Sequence, residues 1–322
     1  MASKRTGVFI VGIYAADLVF SGDRLPAPGE TVIAQDFMRS HGGKGSNQAV
    51  AAARAGAEVS FFTLLGKDAF AESALSLWKE EGIRSLARMI DGESTGAASI
   101  SVDTQTGNNC VFVFPGASRL MTPADIDSLS AEIISSDIFV IQLEQPIDAA
   151  VHALKCAHQH GVTAILNPAP ACDLPEEIYP YCDYLLPNET EASLLSGITV
   201  NSRETAEAAA KVLLERGAKN VIITLGEKGA LLCNADEVHH EPAVIAGHCV
   251  DTTGAGDAFI GGFAAGLSQG MHVREALRFA ATLAGISVTR HGAAASMPRL
   301  PEIVETMAIE ATATHVGAHP SP

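Results

Sequence analysis

The stretch Val8-Phe9-Ile10-Val11-Gly12-Ile13 is an unbroken apolar run bounded by polar residues. A strand with one wet face would alternate apolar and polar side chains, whereas a continuous run marks a strand covered on both faces. Runs of the same kind recur at 59–65, 138–143, 162–166, 184–186 and 221–225. Between them the spacing predicts helices over 47–55, 69–81, 147–160, 189–196 and 203–216, several closed by a glycine such as Gly56 or Gly161. Strand and helix in alternation predict an α/β fold, a mostly parallel sheet with helices on both faces. In such sheets ligands sit beyond the carboxyl ends of the strands.

Two stretches break this rhythm. Residues 14–39 and 95–114 hold β-prone residues and turn signals, Pro26-Ala27-Pro28-Gly29 and Thr106-Gly107-Asn108-Asn109 among them, and no helical pattern. Excursions of that kind predict a small sheet inserted over the core's edge as a lid. From 256 to 289 the chain reads as two Ala/Gly-rich helices whose small residues Gly262, Gly266, Ala280 and Ala284 allow close packing. One domain is expected over 1–312, then a disordered tail over 313–322.

The 322 residues, 47% of them hydrophobic, suffice for one large core. A net charge of −16 argues against nucleic acid or an anionic membrane as a partner. It also leaves any bound nucleotide to be held by local donors. No uncharged apolar run reaches the length of about 20 residues that a membrane helix needs. Met1 to Thr6 lead directly into a strand-like run rather than a secretory signal, so a soluble cytoplasmic protein is expected. Six cysteines (Cys110, Cys156, Cys172, Cys182, Cys233, Cys249) lack Cys-x-x-Cys spacing and are expected as free thiols.

The chemistry points to Val250 to Phe263, VDTTGAGDAFIGGF. Gly254-Ala255-Gly256 make a turn too small to block access, and Asp257 stands where an apolar helix begins. A glycine-rich helix entry aims free N–H groups and the positive end of the helix dipole at one spot, which suits a phosphate. A carboxylate there is placed to take a proton from a hydroxyl nucleophile. By itself, Asp257 is equally a first-turn acid complementing the dipole. There is no Gly-x-x-x-x-Gly-Lys-Ser/Thr, and no Gly-x-Gly-x-x-Gly follows the first strand, so phosphate is gripped neither by a P-loop nor by a dinucleotide fingerprint.

Other candidates are weaker singly. His41-Gly42-Gly43-Lys44-Gly45-Ser46-Asn47 lead into an alanine-rich helix: glycines admit a ligand to the backbone, Lys44 reaches an anion or hydroxyl, and Asn47 lies near the first turn. An ordinary loop with an asparagine cap fits as well. Asp17 and Glu144 follow strand ends at the sheet's carboxyl edge. Asn188-Glu189-Thr190-Glu191 open a helix with capping-box spacing. Asn167-Pro168-Ala169-Pro170 read as a rigid turn, and His239-His240 as surface.

Taken together, eight segments in order resemble the ribokinase-like (PfkB) family of carbohydrate kinases: 41–49, 92–96, 142–144, 167–170, 187–192, 223–226, 251–257 and 288–293. The resemblance, from about 8 to about 298, implies a Rossmann-like three-layer core with a β-sheet lid that doubles as a homodimer interface. It implies transfer of the γ-phosphate of ATP, with magnesium (Mg2+), to the primary hydroxyl of a small free sugar, a pentose such as ribose. By position, Asp257 resembles the general base and the amides of Gly254, Ala255 and Gly256 the anion hole. Asp17, Gly43, Lys44, Asn47 and Glu144 resemble the sugar contacts. Asn188 and Glu191 resemble the pair serving the phosphates and the magnesium shell. Thr224, Leu225, Gly226, Glu227, Lys228 and Gly229 resemble the adenine and ribosyl loop. Asp251, Thr253, Ser287, Arg290, Gly292 and Ser296 fall where such enzymes hold an activating potassium ion (K+), partly through carbonyls.

Two positions depart from the family. An asparagine that usually touches the sugar is Ala15 here, which implies tolerance of a sugar lacking one hydroxyl, such as 2-deoxyribose. A histidine that often flanks adenine is Ala281. A non-catalytic sugar sensor on the same fold is the alternative of a different class.

Overall fold

The computed structural model describes residues 6–316. The chain begins β1 (Val8–Val11), β2 (Ala15–Gly22), β3 (Asp36–Gly42), α1 (Lys44–Arg54), β4 (Val59–Phe62), β5 (Leu64–Leu65) and α2 (Ala69–Glu80). It continues through β6 (Arg84–Ser85), β7 (Arg88–Met89), β8 (Gly96–Asp103), β9 (Asn109–Phe114), α3 (Pro123–Asp127), α4 (Ser130–Ser135) and β10 (Ile138–Ile141). Then follow α5 (Ile147–Gln159), β11 (Thr163–Leu166), β12 (Tyr184–Leu185), α6 (Glu189–Ser196), α7 (Arg203–Glu215) and β13 (Asn220–Thr224). The chain ends with β14 (Ala230–Asn234), β15 (Val238–Glu241), α8 (Ala255–Ser268), α9 (Val273–Ser287) and α10 (Leu300–Val316).

Nine strands form the main sheet in the order β15-β14-β13-β12-β11-β10-β1-β4-β6. All neighbours are parallel except the β13-β14 and β14-β15 pairs. The apolar run that opens the chain is explained by its two faces. Val8 and Ile10 pack into one core with α1, α8 and α9, while Phe9 and Val11 pack into the other with α5, α6 and α7. This is the expected three-layer arrangement.

The expected 59–65 strand breaks at Thr63, a fully buried residue whose hydroxyl pairs with that of Ser118 at 3.0 Å. The antiparallel β14-β15 edge was not anticipated. Helix α1 starts at Lys44, three residues before the expected start, because Gly43 turns the chain at φ 84°. The final helix runs on to Val316, into the stretch expected as a tail, and 317–322 lie outside the described residues. All six cysteines are free thiols. Among the described residues no helix is long and apolar enough to cross a membrane.

A second sheet of four strands, β3-β2-β8-β9, is built from 15–42 and 96–114. Its strands β2 and β8 run parallel from Ala15 opposite Gly96 to Gly22 opposite Asp103. β9 is an edge strand with all its residues exposed.

Three glycines bring the site together. A methyl on Gly45 would lie 2.8 Å from Cα of Gly12, so the start of α1 rests directly on the end of β1. A methyl on Gly43 would fall 2.7 Å from the Ala15 nitrogen and the Ile13 oxygen. A methyl on Gly261 would sit 2.5 Å from Cβ of Ala51 and 2.6 Å from the Gln48 oxygen, so α8 lies against α1 with no side chain between them at that point.

Candidate active site

Close packing of α1 on α8 puts the first turns of both helices at the sheet's carboxyl edge. Gly254 precedes α8 at φ 76°, and Asp257 is the third residue of the helix, 7% exposed. Its two oxygens are held separately: Asn47 Nδ2 donates to Oδ2 and Gln48 Nε2 to Oδ1, both at 3.0 Å. Ala255 departs from the expected set of free amides, because its N–H donates to the Thr252 oxygen at 3.1 Å. The N–H groups of Gly254, Gly256 and Asp257 make no hydrogen bond among the described residues. Apart from its own turn of helix, nothing lies within 4 Å of where a Gly256 methyl would stand, so that face of the helix tip is open. Unpaired donors and the dipole therefore meet an acid at one accessible point.

Charges converge there from four further elements. Burial alone would lower the Lys44 ammonium, but Asp257, Glu144 and Glu191 outweigh it and hold it above the usual lysine value. Glu144, just beyond β10, accepts the Lys44 backbone N–H at 2.8 Å. Burial pushes its carboxyl up to about 7 against the opposing pull of Lys44, with Asp257 and Asp17 adding to the rise. Burial also pushes Asp17, on β2 of the second sheet, up to about 6, and the Asp257 charge adds to it. An acid of the second sheet and the acid of α8 thus act on each other across the cleft between the two sheets.

Gly42, one of the glycines in the stretch before α1, belongs with this group for a reason of its own. A methyl there would lie 2.3 Å from both Asp17 oxygens, so only glycine lets the Asp17 carboxylate keep its place.

On the other side of the tip, Asn188 and Glu191 form a reciprocal capping box at the start of α6. Glu191 N–H donates to Asn188 Oδ1, and Asn188 N–H and Nδ2 donate to the two Glu191 oxygens, all at 2.9–3.0 Å. Burial raises the Glu191 carboxyl above its usual value, opposed by Asn188 and Lys44. Thr224 N–H donates to the Pro187 oxygen, which ties the loop after β13 to the start of α6. In that loop Gly226, Glu227 and Lys228 are exposed, while Gly229 packs so tightly that a methyl would meet the Glu241 oxygen at 2.1 Å. Leu225 differs from its loop neighbours: it is 3% exposed in the core, its N–H donates to the Gly229 oxygen at 2.7 Å, and its own oxygen accepts from the Lys228 N–H at 3.0 Å. Ala281 is 6% exposed on α9 and presents almost no surface.

The segment before α8 is strapped to the turn after α9. Val250 N–H donates to the Val288 oxygen at 2.7 Å, and Gly292 N–H to Asp251 Oδ2 at 2.8 Å. Burial opposes ionisation of Asp251, but Thr253 and Gly292 prevail and hold it below the usual aspartate value. Ser287 and Ser296 are buried, and their hydroxyls donate to the Ala284 and Ala293 oxygens. Arg290 turns its guanidinium to Glu302, so its carbonyl is what it has to offer a cation.

Three polar residues behind Asp257 carried no chemistry in the sequence reading. Gln48 and Gln142 are fully buried and Asn167 is 5% exposed. Gln48 Nε2 also reaches Asn167 Oδ1 at 3.3 Å, and Gln142 Nε2 donates to Gln48 Oε1 at 2.5 Å. The one available signal was a polar pair, Asn47-Gln48, directly before the small apolar run Ala49 to Ala53 of the same helix.

Fold and site together define an α/β phosphotransferase. The chain belongs to the pfkB family of carbohydrate kinases, whose model matches residues 5–300. It is 40% identical over 304 residues to the bifunctional ribokinase/ribose-5-phosphate isomerase A of Fructilactobacillus sanfranciscensis, covering 93% of this chain and 56% of that longer protein. It is 36% identical to the deoxyribokinase of Salmonella typhi, covering 94% of this chain and 99% of that one. Among solved structures, the ribokinase of Arabidopsis thaliana complexed with ribose and ATP superposes with a TM-score of 0.87 at 30% identity, over 94% of this chain and 99% of that one.

Proposed function

We propose that this carbohydrate kinase transfers the γ-phosphate of ATP to the primary hydroxyl of a pentose, ribose first among them. The observation that carries the reading is the meeting of Asp257 with the unpaired amides of Gly254, Gly256 and Asp257 itself at the open tip of α8. The sugar is held by Asp17, Gly43, Lys44, Asn47 and Glu144. Asp257 takes the proton as the hydroxyl oxygen attacks the γ-phosphorus in line, and the bond to the ADP oxygen breaks. The amides at the helix tip stabilise charge on the group in transfer, and the Lys44 ammonium offsets the acids around it. The second sheet closes over the sugar and excludes water.

ATP lies along Asn188 and the loop from Thr224 to Gly229. The donor set suits both ions. Each Glu191 oxygen accepts one hydrogen bond and keeps a lone pair for the water shell of Mg2+, while Asp251, Thr253, Ser287, Gly292, Ser296 and the Arg290 carbonyl offer the hard oxygens that K+ prefers. When bound, magnesium neutralises phosphate charge and potassium adds positive charge beside the anion site. Free thiols fit the reducing cytoplasm. The exposed apolar strand β9 fits a homodimer formed through the second sheet.

A second reading shares this chemistry with 2-deoxyribose as acceptor. The Ala15 side chain offers no polar atom where the family carries an asparagine, and a deoxyribokinase is among the relatives at 36% identity. A coupled ADP-release assay with ribose, 2-deoxyribose, fructose and adenosine, with and without potassium, decides. ADP release with either pentose supports the kinase reading, and a ribose preference of orders of magnitude in kcat/KM removes the deoxyribose one. Sugar binding without ADP release overturns both.

A further inference from the structure

Buried amides carry a polarity that neighbouring groups must agree on. Asp257 is a pure acceptor when ionised. Gln48 therefore has to turn its NH2 toward Asp257 Oδ1, since the flipped rotamer would set its oxygen against those of Asp257 and Asn167. That choice leaves Gln48 Oε1 needing a donor on its other side, and Gln142 Nε2 supplies it. Gln142 in turn leaves its own Oε1 without a partner, pressed against Gly12, where a methyl would come within 2.2 Å of it. Asn47 repeats the pattern: its NH2 goes to Asp257 Oδ2 and its Oδ1 is left unpartnered. Buried acceptors left bare are uncommon and call for an explanation. Here both follow from one requirement, that Asn47 and Gln48 present their donors to Asp257, with Gln142 then obliged to donate to Gln48.

We infer that Gln48, held in orientation by Gln142, is a positioning residue for Asp257. With Asn47 on one oxygen and Gln48 on the other, both carboxylate oxygens are held and the plane of the group is fixed. The relay crosses from the residue after β10 through α1 to α8, and neither glutamine is exposed to reach the sugar or ATP. This rests on Asp257 being the base.

The test is the double variant Gln48→Leu/Gln142→Leu. Removing both partners leaves no buried amide between them unpaired, so the melting temperature should return to or exceed that of Gln48→Leu alone. The lost orientation should still lower kcat by roughly 10²-fold while KM for ribose and for ATP stays within about twofold. Gln48→Met, nearly isosteric, should show the same split of kcat from KM if the double variant fails to fold. A purely packing role predicts that activity recovers with stability. Asp257→Asn is assayed alongside. If it is inactive while the folded Gln48 variants keep kcat within about threefold of the parent, only the positioning role falls. If Asp257→Asn keeps its rate, the base reading falls and the positioning role with it.

Discussion

The backbone N–H of Lys44 donates to Oε2 of Glu144 at 2.8 Å, joining the start of α1 to the end of β10 across 100 positions of sequence. Burial outweighs that contact and the Lys44 charge, and the Glu144 carboxyl rises from 4.5 to about 7. A carboxyl group whose folded pKa exceeds its unfolded one contributes stability that is complete below the unfolded value and is lost as pH rises through the folded value. For Glu144 that window runs from 4.5 to about 7. Glu144→Gln cannot ionise and escapes this loss. The melting temperature of the variant relative to the parent should therefore climb between pH 4.5 and about pH 7 in the ligand-free protein and level off above that. Parallel pH profiles would show that Glu144 does not titrate in this range.

Asp257 accepts from two amide NH2 groups, so Asp257→Asn does more than remove a base. Whichever way the new amide turns, its own NH2 faces that of Asn47 or Gln48. One donor is left without an acceptor, at about 1–3 kcal/mol of stability. We expect kcat to fall by roughly 10²–10⁴ with little change in sugar KM, because substrate contacts remain. A variant retaining more than a tenth of the rate in steady-state assays would remove Asp257 from proton transfer.

The sheet was legible because buried parallel strands must be apolar on both faces, as Val8 to Val11 are. The β14-β15 edge was not, since Ala230 to Asn234 follows β13 after only a short glycine loop and reads as its continuation. The acid at the α8 tip could be picked out by its glycine neighbours, a local signal. Which amides are free could not, because the Ala255 N–H is taken by the Thr252 oxygen only once the turn closes. Gln48 was opaque for a different reason: its partner Asp257 lies 209 residues away, and a glutamine in a helix is otherwise an ordinary helix former.

Gly254 and Gly256 sit two residues apart in one turn yet call for opposite outcomes. Gly254 has φ 76°, and a methyl there would meet Cα and Cβ of Ala293 at 2.9 Å. Gly254→Ala should cost about 1–2 kcal/mol from its left-handed backbone alone, with the clash in addition. Gly256 is inside the helix with open space beside it, so Gly256→Ala should leave the melting temperature unchanged or raise it by up to about 1 kcal/mol in stability. Its methyl nevertheless stands before the free amides, and kcat/KM for ATP should drop on the order of 10-fold or more. Unimpaired kinetics for Gly256→Ala would place the phosphate elsewhere.

The second sheet offers an apolar surface with an open edge. In β9, Val111 is 49% exposed, Phe112 80%, Val113 52% and Phe114 47%, and β2 and β3 add Phe20, Phe37 and Met38. An exposed edge strand of this composition is an aggregation hazard unless it is covered. A second copy of the chain meeting this sheet would cover it. Burying one phenylalanine contributes about 1.5–3 kcal/mol, and each 1.4 kcal/mol is about a tenfold change in affinity. Phe112→Asp removes that burial and adds a charge to each partner. Sedimentation equilibrium should show a dimer for the parent chain and a dissociation constant raised by at least about 10²-fold for the variant. A parent that stays monomeric at all concentrations would assign the exposed strand some other cover.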